Sequence, residues 1–312
     1  MLHTVALAVM NNPLLSIVIC TYNRDKYLKK CLDHLVRQTA DYDQFEVLVI
    51  NNRSTDTTEQ VCKDFQRGNP DIHFSHYFED KQGLSFCRNR GIRESKASII
   101  SYIDDDAFAD AEYARQLIGY FQHHPDVDAV GGRVTPIYHS QEPPWMSRFL
   151  LPLVAALDKG HKPGPFTGRE FPIGANMAFR RSALEETGLF HTDLGRKGSY
   201  LGSGEEKDLF NQMKKQRRKI HYVPGAHVLH HIPDERLKTE YIRKMAMGIG
   251  RSEALRVRHS GFNIVLVKWI EELLKIGATA ILALLYTISG QWAKASMLVK
   301  FRFWLFGSFI SG

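Results

Sequence analysis

The sequence predicts an α/β fold: one Rossmann-like domain on a mostly parallel central sheet, followed by a helical, amphipathic C-terminal tail. Three observations lead there. Apolar, β-branched runs at 14–20, 45–50 and 99–103 are continuous rather than alternating, as in strands covered on both faces. Stretches with helical spacing lie between them, the order expected of a parallel sheet with crossover helices. Charge is also uneven along the 312 residues: the net value is +7, yet 236–312 alone carry twelve Lys/Arg against four Asp/Glu. The rest is near neutral, which marks the last quarter as a distinct physical object. Hydrophobic residues at 44% and charged residues at 24% specify a packed core and exclude a disordered chain.

The elements follow in order. Residues 1–13 are a mildly apolar extension without a basic n-region or small-residue cleavage site, so no signal peptide is expected. "LLSIVIC" (14–20) is the first strand. Asp25 can cap the next helix, in which Leu28, Cys31, Leu32 and Leu35 share a face. "FEVLVI" (45–50) is a second buried strand, "STDTTEQVCKDF" (54–65) a helix opened by cap residues, and "DIHFSHYF" (71–78) an alternating strand. A helix over 86–95 precedes the strand at 99–103. Residues 136–170 read as a long loop, 171–190 as a strand and short helix, and 204–216 as a helix with acids at its start. Cys20, Cys31, Cys62 and Cys87 form no CxxC pair and read as reduced thiols in a reducing compartment.

In such sheets ligands bind beyond the carboxyl ends of the strands. Those ends are polar here: Thr21, Tyr22, Asn23 and Arg24 after the first strand, Asn51–Asp56 after the second, Asp104–Asp106 after the fourth. Three adjacent carboxylates repel one another. A solvated acidic turn is the plain explanation; a hard cation such as Mg2+ or Mn2+ is the other, and it balances the charge. The strand-end position favours the cation. No GxGxxG follows a strand and no P-loop is present, which argues against a nicotinamide-dependent dehydrogenase.

"SIVICTYNR" (16–24), "VLVINNRSTD" (47–56), "GLSFCRNRGI" (83–92) and "YIDDDA" (102–107) together resemble the inverting, nucleotide-sugar-dependent glycosyltransferases of family 2, which have the glycosyltransferase A fold. The resemblance continues through "GANMAFRR" (174–181), "LGRKG" (194–198), "GEEKDL" (204–209) and "YVPGAHVLHH" (222–231), and is nearest to bacterial members that build surface or exported polysaccharides. It implies a catalytic domain over 14–233. Tyr22 would stack on the base, Asn52 would read its edge, and Arg88 would pair with the diphosphate. Asp104–Asp106 would form the DxD-type element, with Asp106 and Asp104 on Mn2+ or Mg2+ and a neighbour such as Asp105 reaching the ribose. His230 would add a metal or phosphate ligand; Gly174 and Asn176 would line the donor-sugar or acceptor pocket. Glu206, with Glu205 beside it, would supply the base that deprotonates the acceptor. Asn51 and Asn52 stand where the family usually has aspartates, which leaves the base open beyond a first expectation of a UDP-sugar. The implied partners are that donor and a saccharide or lipid-linked acceptor, without nucleic acid. A processive synthase would carry QxxRW and several spans, neither of which is present. The rival reading is a nucleotide-sugar-binding or scaffold protein without catalysis.

The tail, 234–312, begins as a basic helix (234–259) and continues as a long apolar and aromatic run. Between Lys275 and Lys294 lie 18 residues without charge, short of the roughly 20 a spanning helix needs. An interfacial hairpin fits better, with Trp269, Trp292 and Trp304 at headgroup level and cations on anionic lipid. This predicts a cytoplasmic protein held peripherally on the inner face of the cell membrane. Packing on the domain, or on a second subunit through the tail, is the other use of such a face.

Overall fold

The computed structural model describes residues 12–198, 201–258 and 262–311. Most of the expected N-terminal extension, Tyr200 of the glycine-rich lead-in and His259 lie outside them. In chain order the elements are β1 (Leu15–Thr21), α1 (Asp25–Leu35), β2 (Phe45–Asn51), α2 (Thr58–Gly68), β3 (His73–Phe78), α3 (Leu84–Glu94), β4 (Ile99–Asp104), β5 (Ala107–Ala109), α4 (Tyr113–His123), β6 (Ala129–Tyr138), β7 (Gly164–Pro165), β8 (Asn176–Arg180), α5 (Arg181–Thr187), α6 (Glu205–Lys215), β9 (Ile220–Ile232), α7 (Thr239–Arg258), α8 (Phe262–Ile288) and α9 (Trp292–Ser311).

The strands form one mixed sheet in the order β3-β2-β1-β4-β8-β6-β9-β5, with β7 on β9. Its first half is parallel, and its register aligns Thr21 with Asn51 and Cys20 with Asp104, so three polar strand ends share an edge. β8 then runs antiparallel to β4 and to β6. β6 and β9 are parallel, and β5 returns antiparallel on β9 with Ala107 opposite His230. That last pairing carries His230 to the acidic triplet, 124 positions away in the chain.

Both faces are covered. Leu28 and Leu32 of α1, Phe65 of α2 and Tyr113, Leu117 and Phe121 of α4 fill one core. Cys87 and Ile92 of α3, Leu184 of α5 and Leu209, Phe210 and Met213 of α6 fill the other. This accounts for the continuous apolar strands: both faces of β1, β2 and β4 bury side chains. All four cysteines are free thiols.

Part of the expected loop at 136–170 differs. Its first residues end β6, a 3-10 turn spans Leu151–Val154, and β7 follows. β6 was hidden because Gly131, Gly132 and Pro136 weaken a strand pattern. Gly132 is there for space: a Cβ would come within 1.9 Å of the Ala226 carbonyl oxygen. His227, His230 and His231 lie inside β9 rather than after it.

The tail is three helices bound to the domain. Among the described residues no helix is long and apolar enough to cross a membrane. α7 lies between the segment leading into α6 and α9. Ser252 accepts a hydrogen bond from the Ser203 N–H at 3.1 Å, and Ser308 Oγ donates to the Met247 carbonyl at 2.8 Å. A Cβ on Gly248 would stand 2.0 Å from the Leu201 carbonyl oxygen, and one on Gly250 would stand 2.3 Å from that of Leu305. Two glycines thus set the separation of α7 from both neighbours. Gly248→Ala should cost about 1–3 kcal/mol, as overpacking does, although alanine favours helix. Urea denaturation checks this; unchanged or raised stability would mean that the segment before α6 moves aside freely.

Candidate active site

A cleft of ≈ 670 Å3 opens at the carboxyl edge of β1, β2 and β4. Thr21, Tyr22, Arg24, Asn52, Arg88, Asp104, Asp105, Asp106, Gly174, Glu205, Glu206 and His230 all line it. Residues named from seven separate stretches therefore converge on one site.

The acidic triplet is held by cations and hydroxyls. Asp105 is buried, accepts from Thr21 Oγ1 at 2.7 Å and pairs with Arg24 at 2.9 Å. Burial still pushes its carboxyl up to about 7; Arg24 opposes that and Asp106 adds to it. Asp106 is almost fully enclosed. It pairs with Arg24, with Arg236 at 3.0 Å and with His230 Nε2 at 3.0 Å. Burial alone would raise its pKa, but Arg236, His230 and Arg24 hold it well below the usual carboxylate range.

Asp104, Asp106 and His230 bring one ligand atom each within 4.8 Å of one another. Two carboxylate oxygens and an imidazole nitrogen suit a hard-to-borderline divalent cation such as Mn2+. The histidine supports that fit. Its Nδ1 lies 2.9 Å from the Val154 carbonyl oxygen, which can only accept, so Nδ1 carries a proton. In the neutral ring the Nε2 lone pair then faces Asp106 Oδ1, and only a proton or a cation makes that contact favourable. Anchoring the far nitrogen to a backbone carbonyl is what metal-binding histidines commonly do.

The acid pair sits at the start of α6, where Gly204 (φ 101°) turns the chain into the helix and the macrodipole favours carboxylates. Glu205 is buried and pairs with Arg88 at 2.8 Å, while its second oxygen has no hydrogen-bond partner among the described residues and lies 3.1 Å from where a Cβ on Gly195 would stand. Burial and neighbouring Glu206 push Glu205 up to about 8, against the pull of Arg88. Glu206 is less enclosed, lines the cleft and has one oxygen without a hydrogen-bond partner among the described residues.

Four of the expected site residues are engaged by the protein itself. Arg88 was expected on the diphosphate, but its guanidinium is enclosed and engaged with Glu205, stacks over Phe190 and has Gly174 against it. The reason is the burial of α3, in which Ser85, Cys87, Arg88, Asn89, Gly91 and Ile92 are all buried. Asn176 does not line the cleft. Its amide donates to the Arg133 and Ala226 carbonyls and accepts from Tyr113 Oη, so it ties β8 to its neighbours. Asn23 is also outside the lining. It adopts φ +52° and accepts from the Thr55 N–H, clipping the β1–α1 turn to the next loop. Asn52 does line the cleft, but its amide donates to the Glu79 and Lys81 carbonyls and accepts from the Gly83 N–H, holding the loop before α3.

Sequence reasoning missed three residues on the lining: Arg196, Arg236 and Tyr241. Arg196 lies within the quoted "LGRKG" but was given no role. Its side chain is exposed and has no hydrogen bond or ion pair among the described residues; desolvation in the cleft lowers its pKa, and Tyr241, Asp104, Asp106 and Glu205 more than offset that. Arg236 and Tyr241 fell in the tail, which charge counting had set apart. Removing one partner of a buried ion pair costs about 3–5 kcal/mol, so Arg88→Met should destabilise the fold by that order. The double change Arg88→Met with Glu205→Gln should recover much of the loss in a denaturant titration.

The sequence profile of the family Glycosyl transferase family 2 matches residues 16–188. The glucosyl-dolichyl phosphate glucuronosyltransferase of Haloferax volcanii is 25% identical over 230 residues, covering 73% of this chain and 72% of that protein. Glycosyltransferase AglE of the same organism is 30% identical over 127 residues, 40% of this chain and 41% of its own length. The mannosyltransferase PcManGT from Pyrobaculum calidifontis, solved with GDP-Man and Mn2+, overlays with a TM-score of 0.66 at 18% identity, covering 96% of this chain and 87% of that one. The chain thus belongs to glycosyl transferase family 2 and is a glycosyltransferase with the glycosyltransferase A fold.

Proposed function

We propose that this glycosyltransferase is metal-dependent and inverting, and that it moves one sugar from a nucleotide-sugar donor to a saccharide or lipid-linked acceptor in polysaccharide or glycoconjugate biosynthesis. One observation carries the reading: a donor set fit for a divalent cation and an acid pair at a helix start line the same cleft. The neighbour solved with GDP-Man and Mn2+, and a Staphylococcus aureus TarS structure solved with UDP, support a nucleotide donor. A UDP-sugar remains the first donor to test. The dolichyl-linked relatives support a lipid-linked acceptor.

Asp104, Asp106 and His230 would hold Mn2+ or Mg2+, and the cation would supply charge neutralisation at the leaving diphosphate. Tyr22, 38% exposed at the mouth of the cleft, is available to stack on the base. Asn52 acts by shaping the loop at 79–83 around that pocket. Arg24 and Arg236 flank the metal ligands and can pair with phosphate oxygens. Glu206 is the base. It takes the proton of the acceptor hydroxyl as the oxygen attacks the anomeric carbon, and the bond to the diphosphate breaks on the opposite face with its electron pair. Inversion in one step follows, with no enzymic nucleophile. Glu205, fixed by Arg88, is a positioning residue for that turn.

The hairpin of α8 and α9 is the surface for the inner membrane face. Leu274, Ile281, Leu285, Ile288 and Phe303 are all more than half exposed. A row of this kind suits lipid, and the excess of cations over 236–312 suits anionic headgroups.

Three outcomes follow. Asp106→Asn should abolish the Mn2+-dependent part of the thermal shift that a nucleotide-sugar panel produces; an unchanged metal dependence would refute the ligand set. Glu206→Gln should cut transfer by ~10²–10⁴ while the donor still binds, and near-normal turnover in that variant would move the base elsewhere. Sedimentation with phosphatidylglycerol-containing vesicles should pull the protein down, and Leu274→Ser, Ile281→Ser and Leu285→Ser together should release it. Equal recovery of both proteins in the supernatant would remove the membrane role.

A further inference from the structure

The cleft has two chemically unlike walls. Aspartates, arginines and Glu205/Glu206 line the side next to the sheet. The other wall comes mostly from elements beyond the family match at 16–188: Met245 and Ile249 of α7 and Phe301 and Leu305 of α9, joined by Leu153 of the 3-10 turn and by Phe149. None of these six side chains offers a strong hydrogen-bonding group. A saccharide exposes hydroxyls on nearly every carbon, and burying one without a partner costs about 1–3 kcal/mol. Such a wall is therefore a poor sugar site and a good hydrocarbon site.

Two further observations specify the occupant. Arg196 lines the same cleft as both walls, near enough to Tyr241 at the start of α7 and to the acids Asp104, Asp106 and Glu205 to feel their charge, and its exposed guanidinium is not engaged by any described side chain or carbonyl. An anion beside a hydrocarbon is the chemistry that pair would recognise. α9 also turns apolar side chains both ways: Phe301 and Leu305 line the cleft, while Val299, Phe303 and Ile310 are exposed. A helix apolar all round is expected where both sides meet apolar material. One helix thus joins the outward apolar surface to the interior of the cleft.

We propose that the wall formed by α7, α9 and the Leu151–Val154 turn is the subsite for the hydrocarbon of a prenyl-type, lipid-linked acceptor. Arg196 takes the phosphate that joins lipid to sugar, and the sugar hydroxyl reaches Glu206. The proposal rests on reading the cleft as the transfer site, and it gives the acceptor a chemical class and a route from the membrane surface.

The test uses the full chain and a C20 prenyl phosphate carrying a diazirine on its chain. Photolysis followed by peptide mass spectrometry should label 149–153, 241–249 and 301–305. Unlabelled prenyl phosphate should suppress that labelling, and inorganic phosphate should not. A charge-assisted hydrogen bond is worth about tenfold or more in affinity, so Arg196→Gln should weaken capture by at least that order. Met245→Gln with Leu305→Gln should weaken it similarly, with the nucleotide-sugar thermal shift as the control for folding. Labels confined to the outward residues of α8, such as Leu274 and Ile281, would overturn the subsite and leave only surface contact with lipid. So would cleft labels that unlabelled lipid does not suppress. The donor arm is separate: a nucleotide-dependent shift without cleft labelling sinks the acceptor proposal alone. Cleft labelling without any nucleotide shift supports the lipid subsite and removes the donor reading.

Discussion

Six carboxylates line one cleft, and the three that are almost fully enclosed must find positive charge; that requirement organises the structure. Asp105, Asp106 and Glu205 are the enclosed ones. Each is met by an arginine from a different part of the chain: Arg24 from the β1–α1 turn, Arg88 from α3 and Arg236 from the segment after β9. Burying an ion is costly, and its partner repays that cost only with good geometry and further hydrogen bonds. The further bonds are present: Thr21 on Asp105, and His230 on Asp106, itself fixed by Val154. The cleft is thus a junction at which β1, β4, β9, α3, α6 and the first residues of the tail fix one another. A divalent cation on Asp104, Asp106 and His230 would add to this balance rather than create it.

The same logic binds the tail to α6. Glu253 of α7 pairs with Lys207 at 2.6 Å and with Lys268 of α8 at 2.5 Å. Glu272 of α8 gathers Lys268, Lys275 and, from α9, Arg302 within 3.1 Å. Lys207 directly follows Glu206, so α7 and α8 act on the helix that carries the acid pair. Networks of this kind hold position more than they add net stability. With Gly248 and Gly250 setting the helix spacing, the three C-terminal helices form a wall of the site as well as an outward apolar face. The expected boundary after residue 233 therefore runs through one packed body.

The sequence by itself determined the parallel half of the sheet, because strands buried on both faces must be continuously apolar, and Ile17–Ile19, Val47–Ile50 and Ile99–Ile103 are. It also singled out five of the carboxylates that line the cleft. Asp104–Asp106 end such a strand and Glu205–Glu206 start a helix after glycine, positions that local rules alone mark as special. What each polar side chain does with its hydrogen bonds was left to the tertiary structure. Arg88, Asn52 and Asn176 have the right chemistry for a ligand, yet each is engaged by protein groups 27 or more positions away. β6 and β9 were obscured for a related reason. Their glycines and register shift answer to a neighbouring backbone, as Gly132 does to Ala226, and no window of sequence contains both partners. Charge could say that the tail differs, but only packing could decide that Arg236, Tyr241 and the apolar faces of α7 and α9 belong to the cleft. Periodicity reports which face of a helix is apolar, and the fold chooses what that face meets.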